Sequence, residues 1–551
     1  MQSIPIAIVG GGPVGLTLAL FLDRLGVRSV VFNTDPTTRW HPKGGSESAR
    51  SMELFRLLGL SERIRTLGLP DDHPTDVAYF TRFNAFELAR LRMPSRAEVL
   101  TQVRDAAKTD QVPEPIHRAN QMQMERLLLE HARSRANIVM RYGHEVAEFT
   151  QGNDGVDITA IRDETGLPER WRAQYLVGCD GGRSMVRRTL GIKFRGEGGL
   201  EERYFGGRMF STYIRSPQLA ELLRPRRAWQ YWAVNADIRS TIISIDGAGE
   251  FLFRSKAAAP NQPADDATIR HVLHACAGAP VDVEIAGHEP WTAGVALVAE
   301  RFADRRVFLA GDAVHLFTPT GGFGMNTGLE DASNLAWKLA ARLQGWGGDG
   351  LLASYECERL PIALRNTGAG RQFSININDV HAPAILEDAS PAGSAARASI
   401  GAQLSGFGEQ FASIGVQLGA RYDESPIITA DASPPPDDFV TYHPTSVPGG
   451  RAPHLWLHDA HVRGNSLYDR FGIGMTLLRL GSHAPDAQGF AREAERRRMP
   501  LKILDVADSD ARDLYGCDLA LIRPDQYVAW RGNTMPADAS AVFAQTAGAA
   551  S

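Results

Sequence analysis

The pattern of apolar positions at the start of the chain predicts a strand, a tight turn, a helix and a second strand. Residues 6–9 and 29–32 are apolar runs, residues 10–15 are mostly glycine, and residues 16–25 are mostly apolar. Short apolar runs bounded by glycine are typical of buried strands, and a longer run between them is typical of a helix. This order predicts half of a βαβ unit, and therefore an α/β fold with a Rossmann-like sheet.

The pattern changes further along the chain. Alternation between residues 154 and 177 predicts a hairpin that leads into the loop CDGGRS. Between residues 193 and 290 the chain is rich in strand-like runs, which predict a separate antiparallel sheet to which we assign the substrate. Residues 307–310 predict another strand, followed by a glycine-rich loop and a long helix over about 328–343.

Composition and charge narrow the class of ligand. The chain has 551 residues and a formal net charge of −5, with acidic and basic residues mixed along its length. It therefore offers no broad cationic face to a nucleic acid or a membrane, and a small-molecule substrate fits better. The four scattered cysteines form no CxxC pair and predict neither a disulfide framework nor a metal site. With no apolar run of the roughly 20 residues that span a bilayer, we expect a cytoplasmic protein.

The glycine turn is the first chemical signal. Gly10, Gly12 and Gly15 form a GxGxxG sequence between strand and helix, with Pro13 beside them. The first glycine permits the turn, the second lets a pyrophosphate approach the backbone, and the third lets helix and strand pack closely. The helix N-terminus favours the phosphates of a dinucleotide. The second strand ends at Asn33 instead of an acidic residue, so a ribose hydroxyl would meet an amide there.

Two later segments resemble the DG and GD motifs of the class A single-component flavoprotein monooxygenases, the family of the p-hydroxybenzoate and phenol hydroxylases. They are GCDGGRSMVR at residues 178–187 and GDAVH at residues 311–315, and PTGGFGMN follows at residues 319–326. The resemblance implies that the dinucleotide is FAD. C-terminal segments, among them LYDRFG at residues 467–472, are similar to the thioredoxin-like domain of the branch that includes phenol hydroxylase and 2,4-dichlorophenol 6-monooxygenase. Without a CxxC, we expect this domain to serve packing or homo-oligomer formation.

The resemblance also implies roles for single residues. Asp312 would bond a ribityl hydroxyl, and Asp180 with Arg187 would organise FAD and the approach of NADPH. Backbone N–H groups of a glycine-rich loop would face the flavin pyrimidine edge, and we assign this contact to Gly324, Met325 and Asn326. Similarity of the segments that contain Arg50 and Gln121 places both residues on FAD. Their alternatives are a surface salt bridge for Arg50 and a solvated helix face for Gln121.

The implied architecture is a glutathione-reductase-type FAD-binding fold, an antiparallel β substrate domain and a C-terminal thioredoxin-like domain. We predict that the substrate domain is inserted into the FAD-binding domain. The predicted boundaries are 1–75, 105–192 and 291–400 for the FAD-binding domain, 76–104 and 193–290 for the substrate domain, 401–438 for a linker and 439–545 for the C-terminal domain.

The implied activity is that of an FAD-dependent monooxygenase that uses NADPH and O2 to hydroxylate a phenolic or other electron-rich aromatic substrate through a C4a-hydroperoxyflavin. FAD would be bound, and NADPH would be a transient co-substrate. Two alternatives stay open. One is a flavin oxygenase of another reaction type, such as epoxidation, Baeyer–Villiger oxidation or halogenation, although the halogenase WxWxIP sequence is absent. The other is a flavin-binding protein without turnover.

The residue that activates the phenol has no clear sequence signal. Some phenol hydroxylases have an aspartate in the segment before the conserved arginine, and the matching position here is Gly45. By chemistry and region we predict His41, Tyr231 and His315 as catalytic candidates. Further candidates of the same kind are Tyr204, Arg208 and Tyr213. The alternatives are a strand residue at the sheet margin for Tyr231 and a hydrogen-bonded buried histidine for His315.

Overall fold

The computed structural model describes residues 1–197, 209–256, 265–291, 295–378, 380–411, 413–458, 461–462 and 464–549. In chain order its strands are β1 Gln2–Val9, β2 Ser29–Asn33, β3 Val77–Phe80, β4 Glu87–Leu91, β5 Ile138–Tyr142, β6 His144–Gln151, β7 Val156–Arg162, β8 Pro168–Gly178, β9 Phe194–Glu197, β10 Met209–Arg215, β11 Gln230–Val234, β12 Arg239–Ser244, β13 Glu250–Lys256, β14 Glu284–Trp291, β15 Ala296–Ala299, β16 Ala303–Asp304, β17 Val307–Leu309, β18 His315–Leu316, β19 Met475–Leu480, β20 Leu501–Val506, β21 Leu519–Ile522 and β22 Val528–Gly532.

The α-helices are, again in chain order, α1 Pro13–Arg24, α2 Ala49–Leu57, α3 Ser61–Arg65, α4 Arg96–Arg104, α5 Gln121–Arg133, α6 Met185–Thr189, α7 Pro217–Leu223, α8 Asp266–Ala277, α9 Phe323–Leu343, α10 Asp349–Asn378, α11 Pro391–Ser405, α12 Ile414–Leu418, α13 Gln488–Arg497, α14 Ser509–Tyr515 and α15 Ala539–Thr546. Within the described ranges, none of them combines the length and the apolar character needed to cross a membrane.

The first sheet contains the N-terminal strands and has the order β16-β17-β8-β1-β2-β5. β1 is parallel to both of its neighbours, and Val9 near its end lies opposite Phe32 of β2 and Gly178 of β8. The central strands are buried on both faces, as expected for a parallel sheet covered by helices. The predicted hairpin is also present, because β7 and β8 pair antiparallel. The ends of β1, β2 and β8 therefore meet at the sheet edge where such folds bind nucleotides.

The second sheet has the order β14-β10-β13-β12-β11-β3-β4. All neighbouring pairs are antiparallel except β11 and β3, which run parallel. One face of this sheet packs on α7 and α8 through residues such as Leu219, Phe253 and Leu273. The opposite face is left for the large cavity described below. The predicted combination of an α/β domain with a separate antiparallel sheet is confirmed.

Two segments beside the cavity differ from the sequence prediction. α9 begins at Phe323 and not near Gly328, because Gly321 and Gly322 adopt φ values of 80° and 68°, which turn the chain directly into the helix. Residues 401–438 do more than link two domains, since Gln410, Phe411 and Gln417 line the cavity. A composition rich in proline and glycine indicates irregular backbone, but it does not indicate whether the side chains of the segment are buried.

The C-terminal domain contains a sheet of order β20-β19-β21-β22. β19, α13 and β20 form a parallel βαβ unit, and β21 and β22 continue the sheet antiparallel. Its core includes Phe490 and Phe543, and this core also contains Trp337 of α9. The domain therefore packs directly on the helix that begins at the cavity.

Buried ion pairs join this domain to α9 and α10. Arg523 donates to the two carboxylate oxygens of Glu358 at 2.6 and 2.9 Å, and Lys338 donates to the same carboxylate at 2.6 Å. Burial alone would raise the pKa of Glu358, but attraction by Arg523 and Lys338 holds it far below its ordinary value. Breaking a buried pair of this kind typically costs about 3–5 kcal/mol. The interface is therefore fixed by charge as well as by apolar packing.

Candidate active site

A cavity of about 760 Å³ extends from the edge of the first sheet to the open face of the second. We call its two parts the nucleotide half and the aromatic half. The nucleotide half is lined by Gly10, Gly11, Gly12, Pro13, Asn33, Gln121, Asp180, Asp312, Gly324, Met325 and Asn326. The aromatic half is lined by His41, Arg118, Met209, Trp229, Trp232, Ile243, Arg254 and Phe411.

The glycine turn is tightly packed at Gly10 and Gly15 but leaves open space at Gly12, where a ligand would approach the backbone. A Cβ on Gly10, whose φ is 111°, would lie 2.2 Å from the carbonyl oxygen of Cys179, and a Cβ on Gly15 would lie 2.0 Å from the carbonyl oxygen of Gly10. Around Gly12, in contrast, the described residues place no heavy atom within 4 Å of such a Cβ. Pro13 begins α1, and no side chain caps this helix. Open backbone and uncapped N–H groups fit a pyrophosphate.

Asn33 holds the glycine turn from the second strand. Its Oδ1 accepts a hydrogen bond from the N–H of Gly11 at 3.0 Å, and its Nδ2 donates to the carbonyl of Asp35 at 3.0 Å. The hydroxyl of Tyr142 donates to the carbonyl of Gly11 at 2.6 Å. Burial raises the pKa of Tyr142, so its hydroxyl remains a donor. The amide at position 33 therefore fixes the turn in addition to lining the cavity.

The DG and GD segments present carboxylates to the nucleotide half. One oxygen of Asp180 accepts from the N–H of Val186 at 3.1 Å, whereas its buried Oδ1 has no hydrogen-bond partner among the described residues. Arg187 lies behind it and donates to the carbonyl of Ala313 at 3.1 Å. Asp312 lines the same part of the cavity. A buried carboxylate oxygen without a partner fits a ligand hydroxyl.

The N-terminus of α9 opens on the cavity. Gly322 occupies the N-cap position, and no side chain caps the helix. The first N–H groups of a helix have no acceptor within the helix and attract negative charge. Gly324 and Met325, which belong to this first turn, line the cavity. This arrangement suits an electron-rich edge of a flavin.

The side chain of Asn326 makes four hydrogen bonds, three of which connect this helix to residues 46–51 at the start of α2. Its Oδ1 accepts from the N–H of Ser48 at 2.9 Å and from the hydroxyl of Ser51 at 2.6 Å. Its Nδ2 donates to the carbonyls of Ser46 at 3.0 Å and Gly322 at 2.7 Å. The side chain is thus fully used in joining two walls of the cavity.

Gln121 begins α5 and lines the nucleotide half. Its amide nitrogen, Nε2, donates a hydrogen bond to the carboxylate of Glu125 at 2.5 Å. Burial raises the pKa of Glu125, and burial lowers the pKa of nearby Lys43. Both charged side chains line the same cavity. Gln121 therefore lies in a polar wall of the cavity and not on a solvated helix face.

Arg50 does not belong to the cavity, and its assignment to FAD was wrong. Its guanidinium donates to Glu53 at 2.8 Å, to the Gln526 side chain at 2.7 Å and to the carbonyl of Asp525 at 2.7 Å. The side chain is 2% exposed, so this is a buried contact with the C-terminal domain and not a surface salt bridge. Sequence similarity gave no information about the direction of this side chain.

Tyr231 faces away from the cavity, so its catalytic assignment was wrong as well. It packs against Phe80 and Phe83 on the face covered by α7 and α8. Its hydroxyl accepts from the N–H of Ala228 at 2.7 Å, and burial raises its pKa to about 12. Side chains alternate between the faces of a strand, so the next residue, Trp232, faces the cavity instead.

The two histidine candidates are both held by the protein. His315, fully buried and outside the cavity lining, has its Nε2 2.7 Å from Asp331, which also accepts from the N–H of Gly311 at 3.1 Å. The catalytic assignment of His315 was therefore wrong, and the side chain supports the GD loop. His41 does line the cavity, but its two ring nitrogens lie 3.0 Å from the carbonyls of Pro42 and Ser211. Burial lowers the pKa of His41.

Several cavity residues had no sequence signal. Arg118 and Arg254 lie in segments without a motif, and only the fold brings them to the cavity. Trp229 and Trp232 were noticed only as neighbours of Tyr231, although a period of two on β11 predicts that Trp232 lies on the face opposite to Tyr231. Tyr213 packs in the core of the second sheet. Tyr204 and Arg208 lie outside the described residues.

The nucleotide half fits FAD. The space at Gly12, the uncapped N-termini of α1 and α9 and the unpartnered oxygen of Asp180 supply donors and acceptors for phosphates, hydroxyls and a flavin ring. Asp312 and Gln121 add polar groups to the same wall.

Comparison with known proteins agrees with this geometry. A family model described as FAD binding domain matches residues 3–369, and one described as aromatic-ring hydroxylase, C-terminal, matches residues 445–550. The FAD-dependent monooxygenase apdD of Emericella nidulans is 30% identical over 98% of this chain and 90% of its own. The 4-methyl-5-nitrocatechol 5-monooxygenase of a Burkholderia species is 31% identical over 98% of this chain and 96% of its own.

A solved structure extends the similarity to the whole fold. The rebeccamycin biosynthetic enzyme RebC with reduced flavin aligns with a TM-score of 0.88 and 32% identity, and the alignment covers 100% of both chains. Both family models match in the order that the two domains have here. The chain belongs to the FAD-binding aromatic-ring hydroxylases, a family of FAD-dependent monooxygenases.

Proposed function

We propose that the protein hydroxylates a phenolic substrate with O2, and that NADPH reduces its FAD. The observation that supports this most directly is the continuity of the cavity, which joins the glycine turn to a wall of aromatic side chains. A cofactor in the nucleotide half would therefore meet a ring in the aromatic half without crossing solvent. We also propose a cytoplasmic location, which suits the free thiols of the four cysteines.

Different groups of the nucleotide half would bind different parts of FAD. The backbone at Gly12 and the N-terminus of α1 would bind the pyrophosphate, and Asp180 and Asp312 would bind hydroxyls of the cofactor. The N-terminus of α9 would accept the electron-rich edge of the flavin. When bound and reduced, FAD supplies the activation of O2. The protein must then orient the substrate and keep water out.

The aromatic half is suited to both tasks. Trp229, which directly precedes β11, and Trp232 on β11 are 7% and 5% exposed, so they offer flat, largely dry surfaces to a ring. Ile243 on β12 and Met209 on β10 add apolar side chains to the same wall. The names of two relatives support an aromatic substrate, since one acts on a nitrocatechol and the other belongs to rebeccamycin biosynthesis.

Substrate-dependent turnover tests this function. Purified holoprotein should oxidise NADPH faster when a phenol or a fused-ring aromatic is added, and the product should contain one oxygen atom from isotopically labelled O2. Omission of halide should change nothing, which separates hydroxylation from halogenation, and a ring-expanded product would indicate Baeyer–Villiger chemistry. If no aromatic compound in a broad panel raises NADPH consumption, the hydroxylase proposal fails and flavin binding without turnover is favoured.

A further inference from the structure

Arg118 is a buried cation on the wall of the aromatic half. It lies just before α5, it is 6% exposed, and its guanidinium carbon is 4.1 Å from the centre of the Trp229 ring. One terminal nitrogen donates to the hydroxyl of Ser46, and the other is 3.8 Å from the sulfur of Met93. Its Nε is buried and has no hydrogen-bond partner among the described residues.

The four most deeply buried arginines among the described residues have carboxylate partners. Arg50 pairs with Glu53, Arg451 pairs with Glu53, Arg359 pairs with Asp331, and Arg523 pairs with Glu358. Arg187, which is as buried as Arg118, donates instead to the carbonyls of Ala313 and Gly182. Arg118 differs from all of them, because its Nε has no partner and no carboxylate of the described ranges lies within 4.0 Å of it. Buried charges are normally paired, since an unpaired charge loses its hydration without compensation.

Glu47 is the carboxyl group whose charge acts on Arg118, but the two side chains form no ion pair within 4.0 Å. The Glu47 carboxyl accepts a hydrogen bond from the N–H of Ala119 at 3.2 Å instead. Burial raises the pKa of Glu47 and lowers the pKa of Arg118, so burial opposes the charged form of both groups. The guanidinium in the cavity wall therefore has no ion-pair partner among the described residues.

We propose that Arg118 binds an ionised oxygen of the aromatic substrate, so that the substrate class is phenols bound as phenolates. This inference rests on the proposed function and names the substrate chemistry of the same site. Trp229 would stack on the ring while the adjacent guanidinium meets its oxygen. Gly45 also lines the cavity, and a Cβ there would contact the Trp229 ring at 3.7 Å, so the chain supplies no carboxylate at this position.

This placement would also activate the ring. A buried guanidinium favours the ionised form of a neighbouring phenol and lowers its pKa. The O–H bond of the phenol breaks, its electron pair stays on the oxygen beside Arg118, and the proton passes to water. The phenolate ring is more electron-rich than the phenol ring, so Arg118 would prepare the substrate without a general base.

Binding of matched probes to the oxidised holoprotein tests the proposal without turnover. 4-Nitrophenol ionises at mildly alkaline pH and reports its ionisation by its colour, whereas 4-nitroanisole has nearly the same shape and cannot ionise. Wild-type protein should bind 4-nitrophenolate about tenfold or more tightly than 4-nitroanisole, as a charge-assisted hydrogen bond predicts. Arg118→Met should remove this preference while the affinity for 4-nitroanisole and the FAD content stay the same, and Arg118→Lys should keep part of it.

The matched control is Arg215→Met, which removes an exposed arginine of the second sheet that is paired with Glu250 and Glu284. It should leave both affinities unchanged. Equal binding of the two probes by the wild type, an unchanged preference in Arg118→Met, or loss of FAD from that variant would each overturn the assignment. Failure of the turnover assay with preserved phenolate selectivity would instead overturn the hydroxylase proposal and leave Arg118 as an anion site.

Discussion

The two halves of the cavity are built from different parts of the polypeptide. The wall of the nucleotide half is mainly backbone, because Gly10, Gly12 and Gly322 bring main-chain atoms to its surface. The wall of the aromatic half consists of side chains on alternate positions of the second sheet, such as Trp232 and Ile243. A backbone wall tolerates almost no added atom, whereas a side-chain wall can change its shape without a change of fold. The comparison predicts a stringent cofactor site beside a substrate site that substitutions can alter.

Gly10→Ala should have the largest effect, because it tests the backbone wall directly. The added Cβ would lie 2.2 Å from the carbonyl oxygen of Cys179, at a φ of 111° that alanine rarely adopts. We expect nearly complete loss of FAD from the purified protein, measured as the ratio of flavin to protein. Gly166→Ala is the control, since its φ is 64° but no described heavy atom lies within 4 Å of the added Cβ. Full FAD content in Gly10→Ala would contradict the comparison.

Glu47→Gln tests the burial of the segment between the two halves, through the pH dependence of the free energy of unfolding. Burial raises the pKa of Glu47 from 4.5 to about 8, so in this interval the folded protein holds a proton that the unfolded chain has released. The free energy of unfolding should therefore fall as pH rises through the interval. Glu47→Gln should remove a few kcal/mol of this dependence, measured by chemical denaturation at a series of pH values from 4.5 to 8. The exposed Glu145→Gln should not alter the profile.

Asn326→Ala tests the connection between the loop before α9 and the segment before α2. It removes four hydrogen bonds, and loosening the loop should weaken FAD binding about 10- to 100-fold, measured by titration of the apoprotein. Asn366→Ala is the control, because this buried asparagine bonds the hydroxyl of Thr327 and does not line the cavity. Equal losses of FAD affinity in both variants would show that the effect is general destabilisation.

Trp232→Ala and Tyr231→Phe form a pair that tests the two faces of β11. Removal of the cavity-facing ring of Trp232 should raise KM about tenfold through lost contact with the substrate. Tyr231→Phe should lower stability by about 1 kcal/mol, because the N–H of Ala228 loses its acceptor, and should leave KM unchanged. A change in KM for Tyr231→Phe and none for Trp232→Ala would reverse the assignment of the faces.

The difference between the halves also explains which residues were predictable. Gly10, Gly12, Asp180 and Asp312 lie in short contiguous motifs, and each of them is in or beside the cavity as expected. Arg118 lies in no motif, and only the packing of its segment against β11 places it on Trp229. Contiguous backbone geometry depends on neighbouring residues in the chain, whereas a side-chain wall depends on contacts between distant segments.

Three residues that the sequence assigned to the site have side chains that point away from the cavity. Arg50, Tyr231 and His315 are on elements that border the cavity, yet each faces the protein interior and is held by partners distant in sequence, such as Gln526 and Asp331. The alternation of apolar residues could have identified Tyr231, since both of its neighbours face the cavity. No local pattern could have identified Asp525 and Gln526 as partners of Arg50, because these two residues belong to the C-terminal domain.

The order of apolar and glycine residues was sufficient to specify the α/β fold, the nucleotide turn and the separate antiparallel sheet, because these depend on local backbone preferences and strand periodicity. Only the tertiary structure decided which charged side chains line the cavity without an ion-pair partner. Whether a buried arginine is paired depends on which distant carboxylates reach it, so four buried arginines became structural and Arg118 was left facing the cavity without a counterion in the described part of the chain.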